Sequence, residues 1–293
     1  MTSSFTTLLR PARTAGVSLA LAMLALTALG CGPTSFLITP VSAEQTLQEN
    51  VVTRESVWAF DKIAIVDVDG VIRNGRDTSL TGVAGENPVS LFREKLDRAA
   101  RDNRVKAVLV RINSPGGTVT GSELMYTELC RFREQTKKPA YACMMDLGAS
   151  GGYYLACGAE RIFAHPTTIT GSIGVIMMLP ELTGTMRKLG VEAHIFKSGA
   201  MKDAGSLFRE MNDADRALFE KLTSEMYQRF FDTVQRERGI APERLRELAD
   251  GRVYLGPDAK ANGLVDEVGT IQDAIVALKD AAGLAKKKVL VVE

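Results

Sequence analysis

The sequence predicts an α/β fold built around a parallel β-sheet. Two β-branched runs, 63–68 and 105–112, have the continuous apolar character of buried strands. Between them, residues 88–101 repeat apolar side chains at helical spacing. A strand, a helix and a second strand in this order favour a right-handed parallel unit.

The same alternation of strands and helices continues to residue 282. The longest helical pattern, 212–238, has Asn212 or Asp213 as its expected N-cap and Gly239 as its stop. Further strands are predicted over 140–145, 161–164, 169–178 and 192–197, and further helices over 122–137, 180–189, 242–249, 257–262 and 270–282.

The composition is that of an ordinary globular protein. The 293 residues suffice for one large α/β domain or two small ones. Hydrophobic residues make up 45% and charged residues 24%, which excludes wholesale disorder and a polytopic membrane protein. Because 36 basic and 35 acidic residues nearly cancel, the charge gives no argument for a nucleic-acid partner.

The first thirty residues differ in kind from the rest. Residues 1–13 contain two arginines and no acid, and residues 15–30 form an apolar run typical of an export signal. The run is shorter than the roughly 20 residues of a bilayer span, and the cysteine that follows it, Cys31, resembles the lipid-bearing residue of a bacterial lipoprotein. An uncleaved anchor helix is the alternative. Both place the remaining chain outside the cytoplasm, tethered to a membrane; cleavage elsewhere would release a soluble protein.

These patterns predict four segments. Residues 1–31 form the signal peptide or anchor, 32–58 a tether, 59–285 the folded domain, and 286–293 a solvated tail that begins with three lysines.

No metal or cofactor site is expected. The chain has two histidines, His165 and His194, and neither stands in a cluster with cysteine or aspartate. An odd number of cysteines remains after Cys31, and they lack the spacing of metal ligands. Cys130, Cys143 and Cys157 are therefore expected to be buried small apolar residues.

Ser150 is the candidate nucleophile. It lies in a stretch of small residues, 146–154, between an apolar strand and a predicted helix, and it satisfies the pattern Gly-x-Ser-x-Gly. A serine hydroxyl needs a neighbouring base and two donors for the oxyanion that its attack creates. His165, oriented by Asp146, is one candidate base. Lys202 is another, because it follows an apolar strand and has small neighbours, although a surface lysine remains the simpler interpretation.

Five ordered motifs resemble the signal peptide peptidase A (SppA) family of serine/lysine peptidases. The resemblance covers about residues 60–283 and is to the single-unit form of that family, whose fold is the Clp-protease and crotonase-like fold of repeated ββα and βαβ units with flanking helices. The motifs are Ser-Pro-Gly-Gly at 114–117, Gly-Ala-Ser-Gly-Gly-Tyr-Tyr at 148–154, Thr-Gly-Ser-Ile-Gly-Val at 170–175, Lys-Ser-Gly-Ala-Met-Lys-Asp at 197–203, and Gly-Arg-Val at 251–253 with Gly-Leu-Val-Asp-Glu at 263–267.

The resemblance implies a role for each matching residue. Ser150 matches the nucleophile, Lys202 the general base, and Ser172 the serine that helps to hold the lysine amine. The backbone N–H groups of Gly117 and Gly151 match the oxyanion hole, and Ser114 and Pro115 are expected to shape the turn before it. Glycine suits an oxyanion hole because its backbone can approach a substrate carbonyl closely.

The expected function is therefore a membrane-tethered serine endopeptidase on the extracytoplasmic side of a bacterial membrane, acting on remnant signal peptides or unfolded membrane-proximal segments. The resemblance also implies a homo-oligomeric ring or dome, in which neighbouring subunits of some short members supply the serine and the lysine. Two alternatives stay open at this point. A crotonase-like acyl-CoA enzyme would use the oxyanion glycines but not Lys202. A catalytically silent scaffold or adaptor of the peptidase family is the other alternative, although the presence of both Ser150 and Lys202 counts against it.

Overall fold

One β-sheet organises the part of the chain that the computed structural model describes, residues 47–76 and 86–293. The predicted signal or anchor segment, including Cys31, lies outside these residues. Among them, no helix combines the length and the apolar character needed to cross a bilayer. The strands are β1 (Val51–Arg54), β2 (Lys62–Asp69), β3 (Val105–Ser114), β4 (Ala140–Ala149), β5 (Arg161–Ala164), β6 (Ile169–Gly171), β7 (Val253–Leu255), β8 (Glu267–Val268) and β9 (Leu290–Val292).

The central strands are parallel, as the sequence predicts. The strand order is β1-β9-β2-β3-β4-β5-β8, and β6 pairs with the far end of β4 and with β7. The pairs β2–β3, β3–β4 and β4–β5 are parallel, while β1–β9 and β6–β7 are antiparallel. The carboxyl ends of β3 and β4 therefore meet at one edge of the sheet, where Ser114 pairs with Gly148.

The helices begin and end at residues that satisfy their free backbone groups. The side chain of Asn212 accepts a hydrogen bond from the N–H of Asp215 at 2.9 Å, and Gly239 ends the same helix with φ 62°. The helices are α1 (Pro88–Arg101), α2 (Val119–Thr136), α3 (Gly151–Ala156), α4 (Thr183–Leu189), α5 (Asp213–Arg238), α6 (Pro242–Leu248), α7 (Gly256–Ala261) and α8 (Ile271–Ala281).

Both faces of the sheet are buried, because side chains of a strand alternate between its two faces. In β2, Val66 and Val68 pack into the larger core, which also contains Phe92 of α1. Ile63 and Ile65 point into a second core on the other face, which α8 covers. Cys143 and Cys157 are buried as expected, and Cys130 is half-buried.

Four segments differ from the sequence prediction. Residues 51–54, expected in the tether, form β1, and residues 172–178, expected to continue the strand that begins at 169, form no strand. Residues 290–292, expected in a solvated tail, form β9 between β1 and β2. Their burial depends on two strands more than 200 positions earlier in the chain, so local sequence did not indicate it. Residues 192–197, expected as a strand, form neither a strand nor a helix. They have strand-like residues, but none of the strands that the structure describes pairs with them.

The segment 174–211, here called the arm, leaves many apolar side chains exposed. Phe196 is 96% exposed, and Ile176 and Met178 are each 82% exposed. The helix within the arm, α4, buries none of its residues. An exposed apolar surface of this extent is typical of a protein–protein contact.

Candidate active site

Ser150 occupies the sharp junction between β4 and α3. Its φ is 50° and its ψ is −120°, and the N–H of Tyr154 donates to its carbonyl oxygen at 2.9 Å, which starts the helix. A positive φ costs a residue with a Cβ about 1–3 kcal/mol, so the surrounding contacts must hold Ser150 there. The backbone N–H of Ser150 donates to the carbonyl oxygen of Gly171 at 2.8 Å.

The N–H groups of Gly117 and Gly151 lie beside this serine. A Cβ added at Gly151 would lie 3.2 Å from the nitrogen of Gly117, and one added at Gly116 would lie 2.5 Å from the nitrogen of Gly151 and 2.9 Å from the Cβ of Ser150. Within the described part of the chain, neither N–H donates a hydrogen bond. Two adjacent free donors next to a serine can stabilise an oxyanion.

Ser114 and the following turn bring Gly117 to this position. The hydroxyl of Ser114 is buried, donates to the carbonyl oxygen of Gly70 at 2.6 Å, and accepts from the N–H of Gly116 at 3.1 Å. Ile72 then pairs with Gly117 as an isolated parallel bridge. No Cβ fits at Gly117, because it would lie 1.9 Å from the carbonyl oxygen of Ile72.

A cavity of about 280 Å³ contains four of the sequence-predicted residues. Ser150, Ser172, Gly117 and Gly151 all line it. Ser172 follows β6 with φ 51°, and its N–H donates to the carbonyl oxygen of Arg252 at 2.8 Å. The antiparallel pairing of β6 with β7 therefore positions Ser172.

Lys202 does not line this cavity. It lies in the arm and is exposed, and its side chain makes no hydrogen bond or ion pair with any residue that the structure describes. The loop that carries it is nevertheless held firmly, since the carboxylate of Asp203 accepts hydrogen bonds from Lys197 at 2.7 Å and from Nη2 of Arg209 at 3.1 Å. Arg209 also pairs with the buried Asp215 at the start of α5.

The histidine alternative gains no support from the geometry. His165 is exposed at the end of β5, where its Nδ1 lies 2.8 Å from the hydroxyl of Thr167. Neither His165 nor Asp146 lines the cavity. No side chain in the described ranges forms a hydrogen bond with the hydroxyl of Ser150, so one chain brings the candidate nucleophile and the two candidate oxyanion donors together without a base bonded to the serine.

Several residues of the cavity were not singled out from the sequence. Ser122 is buried below Gly151, where an added Cβ would lie 2.1 Å from its Oγ. Tyr154 and Phe230 form apolar walls, with ring centroids 4.8 Å apart. Burial raises the pKa of Tyr154, whose hydroxyl lies 3.0 Å from that of Thr233. Phe230 and Thr233 belong to α5, and only the packing of that helix on α3 brings them to the site.

A serine at a strained strand-to-helix turn, with two free main-chain donors beside it, is the arrangement of a serine hydrolase with an oxyanion hole.

Comparison with known proteins identifies the class more narrowly. The model of peptidase family S49 matches residues 132–285. A protein assigned as signal peptide peptidase SppA in Enterococcus faecium is 34% identical over 247 residues, which cover 84% of this chain and 69% of that protein. A protein assigned as a protease in Synechocystis is 36% identical, with 80% of each chain covered. Protease 4 of Salmonella typhi is 34% identical over 77% of this chain but only 35% of its own length.

The chain belongs to peptidase family S49 and is a serine peptidase with the Clp-protease and crotonase-like fold of that family. Membership excludes the acyl-CoA alternative, and the curated relatives are named as peptidases and proteases rather than as silent scaffolds.

Proposed function

We propose that this serine peptidase is a membrane-tethered endopeptidase that cleaves remnant signal peptides and unfolded membrane-proximal segments with a dyad of Ser150 and Lys202. The observation that carries the proposal is that Ser150 has its oxyanion donors in place but no base within hydrogen-bonding distance in the described chain. We infer that Lys202 of a neighbouring subunit completes the site.

The arm supports this assembly. Lys202 stands among exposed apolar residues, and Phe196 and Ile176 would lose most of their contact with water if a second copy covered them. The ion pairs of Asp203 with Lys197 and Arg209 fix the loop, so its lysine can be presented to a neighbour at low entropic cost. A head-to-tail contact of this kind, repeated around an axis, closes into a ring.

In the proposed mechanism, the neutral amine of Lys202 accepts the proton of the Ser150 hydroxyl as Oγ attacks the scissile carbonyl. The N–H groups of Gly117 and Gly151 donate to the oxyanion of the tetrahedral intermediate. Lys202 then gives the proton to the leaving amine, which departs and leaves an acyl-enzyme. A water molecule, activated by the same amine, hydrolyses the ester and releases Ser150. The hydroxyl of Ser172 orients the lysine amine.

The shape and lining of the cavity suit an apolar, extended substrate. Val175 and Ile176 line both the cavity at Ser150 and a neighbouring open groove of about 650 Å³ between the arm and α5. Met177, Leu179 and Phe219 make this groove largely apolar. A hydrophobic segment such as a cleaved signal peptide has the side chains to fill it, and the relative in Enterococcus faecium is named for that substrate.

The N-terminal sequence supports the proposed location. Arginines precede the apolar run at 15–30, so the run would enter the membrane with the following domain on the extracytoplasmic side. Mass spectrometry of the mature N-terminus tests the anchor: a lipid on Cys31 supports a lipoprotein, and an intact residue 1 supports an anchor helix.

Mixing two inactive variants tests the dyad and its assembly together. We expect Ser150→Ala and Lys202→Ala each to lower kcat/KM on an unstructured apolar peptide by more than about 10⁴-fold. After subunit exchange, an equal mixture should regain about a quarter of the wild-type activity, because one interface in four joins an intact serine to an intact lysine. The wild-type rate should rise toward alkaline pH, since only the neutral amine accepts the serine proton.

His165→Ala is the matched control and should retain full activity. If His165→Ala abolishes hydrolysis in a folded, assembled protein, Lys202 is not the base. If the mixture exchanges subunits, as native mass spectrometry would show, but regains nothing, the serine and lysine do not come from different chains.

A further inference from the structure

An exposed aromatic loop, residues 56–61, joins β1 to β2. Trp58 is 89% exposed, Val57 is 75% exposed and Phe60 is 66% exposed, whereas Ala59 between them is buried and anchors the loop. Three large apolar groups facing water within four positions are unusual on a monomer surface unless they meet a partner or a membrane. The active-site proposal does not use them.

The loop lies at the opposite edge of the sheet from Ser150. It enters β2 at its amino end, whereas Ser150 follows the carboxyl end of β4, and the central strands are parallel. The eight residues of β2 separate these two edges by about 26 Å. A partner on the aromatic loop therefore leaves the catalytic cavity open.

Basic residues surround the loop. The guanidinium carbon of Arg104 lies 4.6 Å from the ring centroid of Phe60, and its Nε donates to the carbonyl oxygen of Phe60 at 3.0 Å. Lys287 lies 3.1 Å from Asp61, which Lys106 also approaches. Lys279 likewise pairs with Glu55 at 2.9 Å.

Two further lysines are exposed and form no ion pair. Among the described residues neither Lys286 nor Lys288 lies within ion-pair distance of a carboxylate, although the charge of Lys288 acts on Glu55 from farther away. The surface therefore combines a tryptophan and a phenylalanine with an excess of positive charge. Aromatic side chains favour the headgroup level of a bilayer, and lysine and arginine favour anionic headgroups.

The chain length places a bilayer within reach. The apolar run ends at Gly30, and residues 47–50 already contact the folded domain, as in the pair of Glu49 with Lys62, so 16 residues lie between them. A chain of that length, if flexible, has a root-mean-square span of about 22 Å. If the run holds the chain to a membrane, as proposed above, the loop is confined close to the headgroups, which raises its effective concentration there.

We propose that the aromatic loop and the lysines at 286–288 form a docking surface for an anionic phospholipid bilayer. Trp58 and Phe60 enter the headgroup region while the lysines contact lipid phosphates. Docking orients the domain with its catalytic edge away from the membrane surface. The inference uses the proposed tether only for proximity, and its test does not depend on peptidase activity.

Trp58 is the only tryptophan of the chain, so intrinsic fluorescence reports this surface alone. The full-length protein is added to vesicles of phosphatidylglycerol, or of phosphatidylcholine as the neutral comparison. With phosphatidylglycerol, we expect the emission to shift to shorter wavelength, brominated acyl chains to quench it, and aqueous iodide to quench it less. Added salt should reverse all three changes, because it screens the lysines.

A double variant, Lys286→Gln with Lys288→Gln, tests the charges. Each lysine near an anionic surface strengthens binding about fivefold. The ratio of vesicle-bound to free protein should therefore fall about 30-fold in the double variant. A lower salt concentration should then suffice to release Trp58 from the vesicles. Lys188→Gln with Lys221→Gln makes the same charge change on exposed lysines of the arm and of α5, and should behave as wild type.

Three results would overturn the proposal. The first is quenching of Trp58 by iodide but not by brominated lipid in phosphatidylglycerol vesicles. The second is an equal shift of its emission with phosphatidylcholine, which would remove the role of charge. A blue shift without lipid that grows with protein concentration would show instead that a second copy covers the loop.

Discussion

Ser150 and Gly171 are joined by a backbone hydrogen bond of 2.8 Å, from the N–H of the serine to the carbonyl oxygen of the glycine. Gly171 immediately precedes Ser172, and the two serines have nearly equal positive φ values of 50° and 51°. The strained backbone of the nucleophile is therefore coupled directly to the strand that positions Ser172. A change at Gly171 should disturb both serines together.

Gly171→Ala should lower kcat/KM at least tenfold. Gly171 has φ 81°, and an added Cβ would lie 2.6 Å from the ring of Tyr254, so β6 must shift to admit it. Peptide hydrolysis and a thermal melt would be measured on the same preparation. Gly190→Ala is the control, because Gly190 also has a positive φ, 66°, but its added Cβ meets nothing within 4 Å. Equal activity of the two variants would contradict the coupling.

Gly117→Ala should reduce kcat by about 10²–10³-fold, the usual effect of losing one oxyanion donor. The methyl group would press on the carbonyl oxygen of Ile72, 1.9 Å away, and displace the N–H that faces Gly151. The check is steady-state kinetics on the apolar peptide, with folding verified by circular dichroism. Gly184→Ala, where an added Cβ meets nothing within 4 Å, should leave kcat unchanged. A folded Gly117→Ala protein with normal kcat would remove Gly117 from the oxyanion hole.

Asp203 should titrate well below an ordinary aspartate. Hydrogen bonds from Arg209, and then from Lys197, lower the pKa of Asp203 to about 2. Because the folded pKa lies below the unfolded value of about 3.9, the interaction stabilises the fold fully above pH 4 and is lost as the pH falls through about 2. Carbon NMR of the side-chain carboxyl groups measures the pH midpoint of the Asp203 titration, and the Asp203→Asn variant identifies its resonance.

Arg209→Met should raise that midpoint toward the ordinary aspartate value, since it removes the largest cause of the shift. Arg216→Met makes the same charge change at an exposed position with no ion pair in the described structure, and should leave the midpoint where it is. If the Asp203 carboxyl of the wild-type protein titrates with a midpoint near pH 4, the ion pairs of Asp203 with Arg209 and Lys197 do not form in solution.

Cys143 and Cys157 should resist alkylation in the native protein. Burial raises the pKa of Cys143 to about 11 and that of Cys157 to about 12, and only the thiolate reacts. At pH 8 we expect iodoacetamide to modify both only after unfolding in urea, as peptide mass mapping would show. If Cys157 is alkylated in the folded protein as fast as in the protein unfolded by urea, α3 is not packed as the structure shows.

Local sequence predicted the features that depend on neighbouring residues. The cap at Asn212 and the stop at Gly239 follow from side-chain and backbone bonds that span three or four positions. The strand 161–164 was also predicted with the bounds that the structure has. By contrast, β9 and the unpaired segment 192–197 were mispredicted, because a strand requires a partner that can lie anywhere in the chain.

The sequence by itself determined the class of the protein: a parallel α/β fold, a serine in a glycine-rich turn, and a set of ordered motifs. Only the tertiary structure decided which groups meet. It brought Ser150, Ser172, Gly117 and Gly151 to one cavity and left Lys202 outside it. The reason is that turns form from adjacent residues, whereas the cavity depends on distant contacts, such as the bond from the hydroxyl of Tyr153 to the carbonyl oxygen of Leu264.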